Sequence, residues 1–409
     1  MNILFLCHDF PTYTNPPTIK AFNFMKNLSK HGHNVILVSF KEGKYDDRYI
    51  EQGLIERYCT LIRVVKIPKS LNKRWKRAIY TVKNTLLLPF TGNANSVHFM
   101  NFYFSPKMSE TLDRIIKEEK IDIIIVDLFP MAGYVLNSRI SKILIEIQAE
   151  SAAYYKEYKS TPYYDPIKKF SLLFEYFRIK NIESKLNTFD LCITVTDYEK
   201  KILKNMHPKL NVCVLPYGVD TEYFKPRYVN EESNSILFYG NLKTNVNRTA
   251  IKFFSFKIFP LIKKEIPDVR LYIVGSDPQE DIKRLGCDDN ISIVGYVRDI
   301  RPYIERSACV ILPMIKAIGI KTRLLEAMAM GKPVVTTSIA TRGINVSPGK
   351  NVIIANDVKE FARCVVELLN DKRKRDRIGK NARKFIEERY SWDIISEKFY
   401  NILLKTINC

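Results

Sequence analysis

"GIKTRLLEAMAMGKPVV", residues 319–335, decides how the rest of the chain is read. Gly331 just past an apolar run, with Pro333 beyond it, is a helix stop signal, so a short helix is expected to start near Lys321. Leu324, Leu325, Ala327, Met328, Ala329 and Met330 wrap most of its circumference, as in a helix buried in an α/β core. Two features do not serve such a helix. Lys321 and Arg323 in the first turn oppose the helix dipole, and Glu326 sits alone among apolar groups. A ligand would reconcile both. Free N–H groups at a helix start attract phosphate. Lys321 and Arg323 would lie beside a diphosphate, and Glu326 would accept hydrogen bonds from two neighbouring ribose hydroxyls. The alternative without a ligand is an Arg323–Glu326 pair at i,i+3, worth about 0.2–0.5 kcal/mol. The residues alone leave both open.

Outward from this helix, strand-like runs alternate with helical periodicity, which predicts parallel α/β architecture. The first half offers strands at 2–7, 34–40, 61–67, 121–126, 142–147 and 191–196, with helices such as 20–30 and 109–119. A second series runs through 236–239, 270–274, 291–294, 309–313, 333–337 and 352–354. The joint is "LPYGVDTEYFKP", residues 215–226. Two Rossmann-like domains are expected, at 1–217 and 218–388. A last helix within 389–409 is expected to pack back on the first.

Composition narrows the function classes. The 409 residues carry a net charge of +21. Half of the surplus is local: between Glu56 and Glu110 there is no acid but there are ten Lys and Arg. The eight cysteines are scattered without a C-x-x-C pair, and the five histidines show no ligand spacing. A disulfide scaffold and a metal centre are therefore not expected, and a cytoplasmic setting is. The basic residues form no aromatic-interleaved groove, which argues against nucleic acid as partner. No apolar run is long enough to span a bilayer.

Several strands of the second series end in glycine: Gly240, Gly275 and Gly295. Ligands of open α/β sheets bind outside such carboxyl ends. Neither the dinucleotide fingerprint nor a P-loop occurs.

"LPYGVDTEYFKP", "FYGN…NRTAIKFF", "VGYVRDIRPYI", "GIKTRLLEAMAMGKPVVTTS" and "RKFIEERYSWD" follow one another in this order. As a set, over residues 215 to about 400, they resemble glycosyltransferase family 4, the retaining nucleotide-sugar transferases of GT-B fold. The nearest subgroup is the sugar transferases of exopolysaccharide and surface-glycan clusters. The resemblance implies two Rossmann-like domains facing an inter-domain cleft, a nucleotide-diphosphate-sugar donor, and no metal or other cofactor. It places Glu326 on the ribose and Lys321 and Thr322 near the diphosphate, with Lys321 and Glu326 as the catalytic pair. Val297 and Arg298 would line the base pocket, with Asp299 capping the next helix. Gly240, Asn241, Gly275, Gly319, Arg323 and Leu325 complete the implied donor site.

Three departures stand out. Ile318 occupies the place of a glutamate that reaches the transferred sugar in the family. Asn241 and Asn247 stand where the family has Arg and Lys, so Lys243 or Arg248 would have to substitute. "TNPPTIK", residues 14–20, replaces a glycine-rich loop.

In the first half, Glu146, Gln148 and Glu150 alternate after a strand and would project together. With His8 they are the acceptor-side candidates; a solvated strand edge is the alternative. "LNKRWKRAIYTVKNTLLL", residues 71–88, puts Trp75 on an apolar helical stripe with Lys73, Arg74, Lys76 and Arg77 elsewhere. That is the pattern of a segment lying on an anionic membrane surface. Tyr and Lys of 154–170 extend the same character; a helix packed on its own domain is the alternative.

The expectation is thus a cytoplasmic glycosyltransferase, peripheral on the inner membrane face, with a lipid-linked or surface-glycan acceptor. Three other readings stay open: a nucleotide-sugar epimerase of the same fold, a donor-binding relative without catalysis, and a nucleic-acid-binding protein.

Overall fold

The computed structural model describes residues 1–12, 18–41, 54–66, 105–145, 149–227, 230–315 and 322–407. Apolar runs buried on both faces form parallel strands. The first sheet holds β1 (Asn2–Asp9), β2 (Asn34–Lys41), β3 (Leu61–Lys66), β4 (Ile123–Asp127), β5 (Ser141–Ile145), β6 (Leu191–Thr194) and β7 (Val212–Val214). Their order is β3-β2-β1-β4-β5-β6-β7. The second sheet holds β8 (Glu232–Tyr239), β9 (Arg270–Val274), β10 (Ile291–Gly295), β11 (Ser307–Leu312), β12 (Val334–Thr336) and β13 (Ile353–Ile354), in the order β10-β9-β8-β11-β12-β13. Both are doubly wound, so each has a switch point, between β1 and β4 and between β8 and β11.

Helices connect the strands. Those of the first set are α1 (Ile19–Lys30), α2 (Pro106–Glu118), α3 (Glu150–Ser160), α4 (Pro166–Lys185) and α5 (Asp197–Met206). In the second, α6 (Asn245–Phe253) follows β8 and α7 (Thr322–Ala329) follows β11. Then come α8 (Val358–Asn370), α9 (Lys372–Arg389) and α10 (Trp392–Ile407). Side chains set several starts: Thr196 accepts from the Glu199 amide, and Asp357 from the Lys359 and Glu360 amides.

The chain divides into two compact units, Met1–Leu215 with Ser396–Cys409, and Pro216–Ile395. Most of α10 thus belongs to the first unit. There Phe399 stacks on Phe24 at 4.2 Å and Tyr400 on His31 at 3.9 Å. In the second unit, the linker is pinned by backbone bonds from Val219 N–H to the Tyr390 carbonyl (2.8 Å) and from Trp392 N–H to the Val219 carbonyl (3.1 Å).

Candidate active site

The helix stop at Gly331 forms as its sequence demands. Gly331 takes φ +68°, its N–H reaches the Met328 carbonyl (3.0 Å), and Lys332 N–H reaches that of Ala327 (3.1 Å). This is the Schellman arrangement, which needs a left-handed residue at that position. Behind it, a Cβ on Gly379 of α9 would stand 2.0 Å from the Gly331 carbonyl oxygen, so the two segments meet backbone to backbone.

The other end of α7 points at the switch point of the second sheet. Here β8, β9 and β10 end in register: Gly240 N–H donates to the Val274 carbonyl (2.9 Å) and Gly275 N–H to that of Gly295 (2.8 Å). Three strand ends without side chains leave an edge of exposed backbone. Arg323 closes it from the α7 side. Its guanidinium bonds the Tyr239 carbonyl and, at 2.7 Å, Asn247 Oδ1. Asn247 Nδ2 in turn donates to the Asn241 carbonyl at 2.8 Å. Gly240 has φ +147°, and a Cβ there would meet Arg323 Nη1 at 2.4 Å, so only glycine fits.

Tyr239 was not singled out from the sequence, yet it joins the two elements. Its hydroxyl lies 2.9 Å from the Arg323 carbonyl and 3.1 Å from Glu326 Oε2. Burial raises the Glu326 pKa, while the Tyr239 hydroxyl, the Arg323 charge and the Thr322 hydroxyl pull it back. Burial and the Glu326 charge push the Tyr239 phenol well above its ordinary range, so it stays a donor. Among the described residues no Arg323–Glu326 ion pair forms. Arg323 turns to β8 instead, and Glu326 accepts from the Tyr239 hydroxyl and the Thr322 hydroxyl.

The structure brings together Gly240, Asn241, Gly275, Arg323 and Glu326, with Thr322 hydrogen-bonded to Glu326. It treats the other donor-side candidates differently. Arg248 is drawn to Asp281 (2.8 Å), which Lys252 also holds (2.9 Å). These bonds lower the Asp281 carboxyl to about 2. Lys243 is exposed, its amide bonded to Asn241 Oδ1 at 2.9 Å. The Leu325 side chain is fully buried in the core, so it can offer a ligand backbone only. Val297 packs partly on the core and Arg298 is exposed. Asp299 is not the cap residue of the following helix: that position is Ile300, and Asp299 instead grips Arg301 through its amide (3.0 Å) and guanidinium (2.7 Å). Gly319 and Lys321 lie outside the described residues, as do Ile318, Gln148 and the membrane candidates Lys73, Arg74, Trp75, Lys76 and Arg77.

In the first unit, His8 is the penultimate residue of β1, beside Asp9 (Nδ1–Oδ1 3.1 Å). Nearby, Lys20 of α1 and Asp127 at the end of β4 form a buried ion pair at 3.1 Å. Glu150 corrects the expected alternation: while Glu146 lies outside the described residues, Glu150 is the first residue of α3, not a strand position. Burial, then the Glu183 and Glu199 charges, raise its pKa. Glu183 is fully buried, accepting from the Ser151 amide (3.0 Å) and hydroxyl (2.5 Å), with His207 Nε2 at 3.2 Å. These three carry no signal in the sequence, being far apart and unremarkable in spacing. Among the described residues no group of three His, Cys, Asp or Glu could hold a metal ion, and no helix is long and apolar enough to cross a membrane.

Known proteins resemble this chain in sequence and in fold. Residues 233–371 match the family model described as Glycosyl transferases group 1. An "uncharacterized 44.6 kDa protein in cps region" of Klebsiella pneumoniae is 28% identical over 42% of this chain and 45% of its own. A GDP-mannose-dependent monoacylated alpha-(1-6)-phosphatidylinositol monomannoside mannosyltransferase of Corynebacterium glutamicum is 26% identical over 46% and 55%. The chain thus spans about half the length of these curated relatives. The crystal structure of TarM superposes with a TM-score of 0.69 over 100% of this chain and 99% of its own, at 15% identity. Anabaena HepE in complex with UDP and glucose gives 0.65 over 98% and 99%, at 14% identity. The fold is therefore GT-B, with two parallel-sheet Rossmann-like domains.

Proposed function

We propose that the chain is a retaining glycosyltransferase that moves a hexose from a nucleotide-diphosphate donor to a lipid-linked or surface-glycan acceptor. One observation carries this reading: a glutamate on α7, fixed by the Tyr239 and Thr322 hydroxyls at the switch point of a parallel sheet. A carboxylate so held accepts a pair of ribose hydroxyls. The glycine edge beside it and the start of α7 give backbone approach and positive potential for a diphosphate. The family match over 233–371 supports glycosyl transfer, and HepE, of the same fold, holds UDP and glucose in its solved structure.

In this reading the protein cations and the helix start stabilise the charge that develops on the leaving diphosphate. No divalent metal is then required, and the leaving group itself receives the acceptor proton. Lys321, on the sequence alone, is the nearest candidate to stabilise that charge. Arg323 is a positioning residue: it fixes Gly240 through the Tyr239 carbonyl and Asn247. His8 and Glu150 remain the acceptor-side candidates of the first unit. A membrane-borne acceptor places the chain at the inner face of the cell membrane.

The test is a thermal-shift and calorimetric screen of UDP, GDP and ADP with EDTA present. The matching diphosphate at about 100 times its Kd should stabilise the fold by roughly 2.7 kcal/mol. No shift with any of them, or a shift only when metal is added, defeats the reading.

A further inference from the structure

Helix α4 turns aromatic side chains outward. Phe170 and Phe177 are 72% and 59% exposed, with half-buried Leu173 between them. The spacings of three and four place all three on one stripe. Ile179, Ile182 and Glu183 face the core instead. The turn that joins α3 to α4 adds Tyr163 and Tyr164, 88% and 76% exposed. Rings continue from Phe177 to Tyr176 (5.0 Å), Tyr155 (4.9 Å) and Tyr158 (6.0 Å). Three lysines lie over this band: Lys159 on Tyr155 (4.7 Å), Lys169 on Tyr158 (5.3 Å) and Lys180 on Tyr176 (5.5 Å). A surface cavity of about 360 Å³ opens between Tyr155, Tyr176, Lys156 and Lys159.

Acids do not balance these lysines. Glu157 is paired with Lys168 (3.2 Å), Glu175 with Arg178 (3.3 Å), Glu183 is buried against Ser151 and His207, and Asp165 in the turn caps α4 through the Lys168 amide (3.1 Å). The face therefore combines exposed apolar rings, amphipathic tyrosines and uncompensated lysine. Exposed phenylalanine in a stripe marks an interaction surface. Tyrosine and lysine around it suit a partner that is apolar inside and anionic at its boundary. A second copy of the same face would oppose lysine with lysine.

From this charge complementarity we infer that the α3–α4 hairpin is a docking surface for an anionic lipid bilayer. Phe170, Phe177, Tyr163 and Tyr164 enter the headgroup boundary, and Lys159, Lys169 and Lys180 meet lipid phosphates. The inference rests on the proposed membrane-borne acceptor for its purpose, while its observations are independent of the donor site. Such seating would hold the first unit where a lipid-linked acceptor is presented.

Co-sedimentation with phosphatidylcholine vesicles, with and without phosphatidylglycerol, tests it on the full chain. Wild type should pellet with the anionic vesicles and be released by salt, because surface charge is screened. Two variants read the surface: Phe170→Ser with Phe177→Ser, and Lys159→Gln with Lys169→Gln and Lys180→Gln. Each should lower partition by about tenfold or more. Nucleotide affinity of both should stay at the wild-type value, so loss of vesicle binding and failure of the donor reading are told apart. Wild type that ignores anionic vesicles, or variants that pellet as it does, overturn the inference. So does self-association in ultracentrifugation that the Phe variant abolishes, or RNA binding that the Lys variant abolishes.

Discussion

A Cβ on Gly275 would stand 1.8 Å from the carbonyl oxygen of Gly240. The two strand ends are thus in backbone contact, and the candidate donor edge exists only because neither carries a side chain. Gly275→Ala should cost about 3 kcal/mol or more, since backbone has to move. Gly295 differs. Its φ is +80° but nothing lies within 4 Å of an added Cβ, so Gly295→Ala should cost only about 1 kcal/mol. Chemical denaturation of both variants checks the ratio; equal losses would refute it.

Glu326 should trade stability against binding. Its folded-state pKa is raised above 4.5, chiefly by burial, so folding favours the protonated acid. Stability is therefore lost as pH rises from 4.5 through the folded value, and the ionised form carries the full cost beyond it. Glu326→Gln escapes this cost and should melt higher than wild type at pH 7, with the advantage vanishing below pH 4.5. Donor affinity should move the other way, falling roughly ten- to a hundredfold with the loss of a charged acceptor. The variant should also discriminate less against a 2′,3′-dideoxy nucleotide. A lower melting point with unchanged discrimination would assign Glu326 to structure alone.

Arg323 holds two acceptors on different elements, a task its planar fork suits and a lysine ammonium does not. Arg323→Lys should cost about 1–3 kcal/mol of stability, as one buried acceptor loses its donor. Donor affinity should fall as well, because Gly240 loses its brace. An intact melting temperature in Arg323→Lys would show that the fork is dispensable.

Arg248 provides a contrasting case. Its partner Asp281 is held near 2, below the ordinary 3.8, by Arg248 and Lys252. Whatever stability this pair adds is fully present above pH 3.8 and is lost as pH falls towards about 2. Because the pair is part-exposed, the Asp281 side chain at 29%, solvent screening keeps that contribution small. Asp281→Asn should remove this part of the acid limb and change nucleotide affinity by less than about threefold, under 1 kcal/mol. A tenfold change would return Arg248 to the donor site.

The strands were legible because both sheets bury their faces, and "ILFLC" or "ACVIL" cannot be anything but interior. β7 escaped notice: it has three residues, and only Val212 of them is buried. Glu150 was misplaced because alternation in the letters runs on into a position that opens a helix. The charges of α7 could be read as out of place, but their destinations could not. Whether Arg323 meets Glu326, a ligand or the end of β8 depends on where β8 lies, about 84 residues earlier in the chain. Tyr239 was invisible for the same reason, since nothing local distinguishes a tyrosine that reaches across a switch point.

The strand order carries a consequence for synthesis. β1 is central in its sheet, hydrogen-bonded to β2 on one side and to β4 on the other. Its register partner for Ile3 is Ile123, so one edge of this interior strand stays open until more than a quarter of these residues have been made. At about 5–20 residues per second, a ribosome leaves that edge waiting for roughly 6 to 24 s. Over that interval the nascent chain offers an edge whose middle, Ile3–Cys7, is apolar, and chaperone dependence should be greatest before residue 127 emerges.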